Sequence, residues 1–150
     1  MKAYTYLLEE LRTEIATIPM VTTITQGGLD DIDNLKQTLF PLVHIIVNSC
    51  TPTSNTLTFN VSIVAMDVVD IAKDETTDVF VGNDNEIDVL NTTLVILTRI
   101  TEVLMRGSLS RKLEIIGTPS CEPFTERFEN YLAGWTATMD IIMPNEMSIC

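Results

Sequence analysis

The chain has 150 residues, of which 45% are apolar, 20% charged and 6% aromatic, the size and profile of one globular domain without room for a second large core. Nine Lys and Arg stand against 21 Asp and Glu for a formal charge of -12, which excludes a dedicated binder of phosphate backbones and a basic helix lying on a membrane surface. No apolar run nears the roughly 20 residues that span a bilayer, and Glu9, Glu10 and Glu14 speak against a secretory signal.

Tyr4, Leu7, Leu8, Leu11, Ile15 and Ile18 recur at helical spacing, with Glu9, Glu10, Arg12 and Glu14 between them, so an amphipathic helix is expected up to Pro19. Val21 to Thr25 reads as a short strand that turns at Gly27-Gly28. Val43, Ile45 and Val47 then open a strand. Beyond the break Thr51-Pro52-Thr53-Ser54-Asn55, a second strand sets Leu57, Phe59, Val61, Ile63 and Ala65 on one face and Thr58, Asn60 and Ser62 on the other. Two alternating runs around a polar break predict a long antiparallel hairpin with one wet face. Residues 67–84 read as an acidic loop with one apolar patch, Val79-Phe80-Val81.

A second helix is expected from an N-cap in 83–85 to Arg106-Gly107, its apolar stripe Ile87, Leu90, Leu94, Leu97, Ile100 and Leu104. A short strand near 112–116 precedes a loop marked by Gly117, Pro119 and Pro123. A final strand then alternates Trp135, Ala137, Met139, Ile141 and Met143 with polar neighbours and stops at Pro144. The sum is a single α+β domain over 1–150: an antiparallel sheet with a long β-hairpin and two helices packed on one face.

Chemistry is sparse. His44 lies mid-strand with no ligand or acid/base partner at a telling spacing. Cys50, Cys121 and Cys150 lack CxxC spacing and read as free thiols of a reducing compartment. Asp31 with Asp33, and Asp84 with Glu86 and Asp88, alternate like calcium ligands but lack the sixth-position Gly and twelfth-position Glu of a calcium loop. Met66, Met139 and Met143 are expected to fill core. No catalytic residue, cofactor site or metal site is assigned.

The ending from Phe128 to Asn145 has the pattern N-x-L-x-G-W-x-x-T, an apolar strand, then P-N, on Asn130, Leu132, Gly134, Trp135, Thr138, Pro144 and Asn145. Together with Lys36 and Pro41 ahead of the first long strand, it resembles the tail-terminator and tail-completion (head–tail connector, neck) proteins of tailed bacteriophages. The wording is most similar to crAss-like phage virion proteins. The resemblance implies a tail-terminator-like fold and a non-enzymatic virion protein, assembled in the host bacterial cytoplasm into a six- or twelve-fold ring. Its partners would be portal, adaptor and tail proteins, with DNA passing through unread and no membrane involved. Because crAss-like phages have short tails, "tail terminator" describes the fold rather than a position. Thr58, Asn60 and Ser62 on the hairpin, whose edge suits strand addition, and Val79, Phe80 and Val81 in the acidic loop become the candidate subunit interface. The alternative is a small cytoplasmic acidic metal-binding protein or enzyme.

Overall fold

A computed structural model describes residues 3–27, 40–69, 86–106, 113–125 and 132–145. It contains α1 (Ala3–Ile15), β1 (Thr23–Gln26), β2 (Leu42–Pro52), β3 (Thr56–Val68), α2 (Glu86–Arg106), β4 (Glu114–Thr125) and β5 (Leu132–Pro144). The strands form one sheet in the order β1-β2-β3-β5-β4.

The architecture is α+β, and the sheet is mixed where an antiparallel one was expected. β1 pairs parallel to β2, Thr23 opposite Leu42 through Gln26 opposite Ile45, and the other three pairings are antiparallel. A parallel neighbour needs a connection of about a dozen residues or more, which a hairpin turn cannot supply but residues 27–41 can.

The main core lies between the helices and one sheet face. Leu7, Leu8, Leu11 and Ile15 of α1 and Ile96, Leu97, Ile100 and Leu104 of α2 meet Val43, Ile45, Val61, Ile63, Ala65, Ala137, Met139 and Ile141. Every one of these strand residues is odd-numbered, as period-2 alternation demands of a single face. Both helices therefore pack on that face. Tyr4 is excluded from the core at 54% exposure.

The stripe of α2 is rotated from the expected one. The buried positions are Val89, Thr93, Ile96, Leu97, Ile100 and Leu104, while Ile87 is 60% exposed. The polar Thr93 misled the count. Its hydroxyl donates to the Val89 carbonyl at 2.7 Å, so it is buried without an orphan polar atom and serves as a small apolar residue.

The opposite face is only partly wet. Leu42, Val64, Met66 and Leu132 form a second buried cluster there with Phe40, Ile46, Val68 and Phe124. The Pro-marked stretch 117–123, expected as a loop, belongs to β4, whose register shifts between Ile116 and Ser120. An edge strand tolerates Pro119 and Pro123 because the missing N–H can face outward, and a bulge absorbs the irregularity.

At the end of the chain Asn145 clamps the hairpin turn. Its N–H donates to the Asn55 carbonyl and its Nδ2 to the Thr53 carbonyl, each at 2.9 Å. Trp135 is half-buried against the main core, and its Nε1–H donates to the Leu90 carbonyl at 2.9 Å. That bond pins β5 to α2. Gly134 sits opposite Met66. A Cβ there would overlap the Ala65 carbonyl oxygen and come within 2.9 Å of the Met66 Cα. Both obstacles are backbone, so a larger residue must push β3 and β5 apart.

Two stability measurements check this packing. Trp135→Phe should cost about 1 kcal/mol, the worth of one hydrogen bond, in urea unfolding, and Trp135→Ala more, but less than the about 3–5 kcal/mol of a fully buried aromatic. Gly134→Ala, which removes no contact, should cost about 2 kcal/mol or more from overpacking. Wild-type stability in that variant would mean that the two strands are not so close.

Candidate interaction surface

Register assigns the residues of the open face. Since directly opposed residues share a face, it carries Ser49 and Thr51 of β2, Thr58, Asn60 and Ser62 of β3, Thr138, Asp140 and Ile142 of β5, and Glu114, Ile116, Ser120 and Glu122 of β4. Beside the second apolar cluster, it is a plane of hydroxyls, amides and carboxylates.

Side-chain bonds run across that plane. The β2 register shifts between Val47 and Ser49, leaving Asn48 as the extra residue. A bulge re-aims its side chain, and Asn48 Nδ2 lies 2.8 Å from Asn60 Oδ1 and 2.9 Å from Ser62 Oγ, donating to both. Asn60 Nδ2 donates onward to Asp140 Oδ1 at 2.9 Å, and Ser62 Oγ shares a 3.3 Å hydrogen bond with Thr138 Oγ1. Three strands are thus tied together by side chains as well as backbone. Such lateral bonds fix where each polar group points before any partner arrives.

Of the candidate interface residues, the structure brings Thr58, Asn60 and Ser62 together on this face. Their setting differs from an edge. β3 is the central strand, Ser62 is only 9% exposed, and Asn60 and Ser62 are engaged sideways, so these residues belong to the sheet's face and not to an edge. Strand edges lie elsewhere. β4 is terminal, and from Ile46 to Pro52 the outer side of β2 has no strand partner among the described residues. Val79, Phe80 and Val81, like most of the acidic loop, lie outside the described residues; Asp67 at its start belongs to β3. Asn48, Thr138 and Asp140 were missed because they become neighbours only through a bulge and a pairing of strands about 80 positions apart; no local spacing announces them.

The other singled-out residues serve the fold. His44 is fully buried on β2, opposite Thr25. Thr25 Oγ1 lies 2.6 Å from Nδ1 and the Gly27 carbonyl 3.1 Å from Nε2. The carbonyl can only accept, so Nε2–H donates to it, while the Thr25 hydroxyl can either donate to Nδ1 or accept from it. Gly27, at φ 122, adopts the positive φ that glycine permits. His44 thereby staples the parallel strand to the sheet. Cys50 and Cys121 are free and exposed. Partial burial of the sulfur pushes the Cys121 thiol pKa up, which keeps it protonated and weakly nucleophilic.

Met66 is buried in the second cluster, and Met139 and Met143 in the main core. Glu86 and Asp88 occupy the first turn of α2, where negative charge opposes the helix dipole favourably; Asp31, Asp33 and Asp84 lie outside the described residues. Among the described residues no three His, Cys, Asp or Glu side chains converge, and no helix is long and apolar enough to cross a membrane. An open groove of about 550 Å³ lies between α1 and β1, lined by Glu9, Arg12, Thr13, Thr22 and Ile24 among others.

In comparisons with known proteins, no family model matches the chain and no curated protein matches it in sequence.

The ladder makes a pH-dependent prediction. In Asn60→Asp a second carboxylate would stand beside Asp140, and their repulsion raises the pair's proton affinity in the folded state above the unfolded value. The variant should lose about 1 kcal/mol relative to wild type at neutral pH, a figure kept small by partial exposure. The loss should fade as pH falls below the carboxylate range, near 4. Urea unfolding at both pH values checks it; a pH-independent difference would mean that the two side chains do not meet.

Proposed function

We propose that this chain is a structural virion protein of a tailed bacteriophage: a ring in the neck or upper tail that joins the portal-capped head to the tail and lines the DNA conduit. It performs no catalysis. The observation that carries the reading is the one-sided build. Both helices cover one face of a five-stranded sheet, while much of the other face stays open and is pre-ordered by side-chain bonds. A lone domain gains little by fixing exposed amides and hydroxyls, whereas a subunit that must fit a neighbour gains preorganisation.

The ending that resembles phage neck proteins supports this reading, because its residues do structural work. Gly134 lets two strands close up, Trp135 pins β5 to α2, and Asn145 clamps the hairpin turn. The charge of -12 suits a channel wall, since a negative lumen repels the phosphate backbone and lets DNA slide without sequence-specific binding.

The test is the state of the purified chain at rising concentration, followed by light scattering and negative-stain microscopy. Closed rings, six- or twelve-fold, are expected. A strict monomer whose melting temperature rises in millimolar calcium would contradict this reading and point to a metal-binding protein instead.

A further inference from the structure

We infer that the outer edge of β2 pairs antiparallel with the same edge of a second copy, about a two-fold axis that sets Val47 of each chain opposite Cys50 of the other. The inference goes beyond the ring reading and does not depend on it. A two-fold contact uses one patch twice, whereas the contacts that close a ring join two different patches.

Backbone direction sets what this edge offers. β1 covers only Leu42 to Ile45, and Asn48 to Pro52 are all exposed. Thr22 N–H donates to the Pro41 carbonyl at 3.0 Å and Gly27 N–H to the Ile45 carbonyl at 3.2 Å. Odd-numbered residues here thus turn their backbone groups outward, and alternation carries this to Val47. The extra residue Asn48 then shifts the phase. Cys50 stands opposite Phe59 as Val47 stands opposite Val61, and the β3 register is unbroken, so Cys50 is the next residue to point its N–H and C=O outward. Neither Val47 nor Cys50 has an outer backbone partner among the described residues.

That spacing names the occupant. Along a regular strand the outward groups recur at every second residue, so such a strand can match Val47 or Cys50 but not both. A second copy of this edge carries the same longer interval. Run antiparallel, it meets both, with Asn48 and Ser49 of each chain facing Ser49 and Asn48 of the other. The side chains agree with this register. Val47 and Cys50 lie opposite Val61 and Phe59 of the main core, and Ser49 lies opposite Asn60 of the open face, so each opposed pair shares a face. The room agrees too. The register is centred between Asn48 and Ser49, and so is the stretch from Ile46 to Thr51, which lies between the end of β1 and Pro52.

Charge permits the approach. Two copies at -12 each repel over most of their surface, yet residues 37–66 contain no Asp, Glu, Lys or Arg. Edges that must stay single are blunted by charge and proline. The β4 edge has both, in Glu114, Glu122, Pro119 and Pro123, whereas residues 46–51 have neither. The bulge turns away ordinary strands and leaves the edge open to its own copy.

Disulfide trapping tests the register. With Cys121→Ser and Cys150→Ser in every chain, a variant carrying Val47→Cys and Cys50→Ser is mixed with chains that keep Val47 and Cys50. The mixture is oxidised mildly with diamide and the cross-linked peptides are read by mass spectrometry. Hydrogen-bonded opposed residues sit about 5.5 Å apart at Cα, within the span of a disulfide. A control carries Thr51→Cys in place of Val47→Cys; Thr51 stands opposite Thr58 on the other face. Circular dichroism melting confirms that both variants fold. The link from position 47 to Cys50 should form at least about tenfold faster than the link from position 51. Equal rates, or no link from position 47, would overturn the pairing and leave the ring reading intact where rings still form. A link from position 47 in a chain that never closes rings would support the pairing and contradict the ring reading alone.

Discussion

The pairing of β3 with β5 holds the rest of the molecule in place. It runs unbroken from Thr56 opposite Pro144 to Val68 opposite Leu132, joining the hairpin to the last strand of the chain, and it proceeds past Met66 only because residue 134 has no side chain. On one side of this ladder Val61, Ile63, Ala65, Ala137, Met139 and Ile141 receive both helices. On the other, Asn60 meets Asp140 and Ser62 meets Thr138. Core and open face are thus two sides of the same thirteen-residue strands.

From that ladder follows the asymmetry on which the proposed function rests. A sheet covered on one face can leave the other wet. Here the open face is divided between a buried apolar cluster at one end and a bonded polar plane at the other. The polar part does not hold the domain together through burial, and exposed hydrogen bonds add little to stability. What they supply is a fixed arrangement of donors, acceptors and carboxylates. On the other side of the domain α2 turns Val95 and Met105 outward among Asp88, Arg99, Glu102 and Arg106.

Much of the fold was legible in the sequence because its signals are local. The alternation from Leu57 to Ala65 and from Trp135 to Met143 predicted the face that meets the helices, and Leu7, Leu8, Leu11, Ile15 and Ile18 are the buried residues of the first helix segment. The signals failed where long-range context decided the outcome. Thr93 is buried because its hydroxyl can return to its own helix, which shifted the stripe of α2. Pro119 and Pro123 lie in a strand because that strand is at the edge. β1 joins β2 in parallel, a pairing no adjacent-hairpin pattern suggests. Of the candidate surface, Thr58, Asn60 and Ser62 were visible as the polar half of an alternating strand. Asn48 and Asp140 needed the bulge and the register to reach them.

The central claim is that the open sheet face is where this protein makes its contacts. Carboxyl labelling with a water-soluble carbodiimide, read by mass spectrometry on assembled and dissociated fractions, tests it most directly. Glu114 and Glu122 are exposed on that face, and Glu9 is exposed on α1. The account predicts that labelling of Glu114 and Glu122 drops on assembly while Glu9 is labelled as before. Equal labelling of Glu114 and Glu122 in both fractions would contradict it.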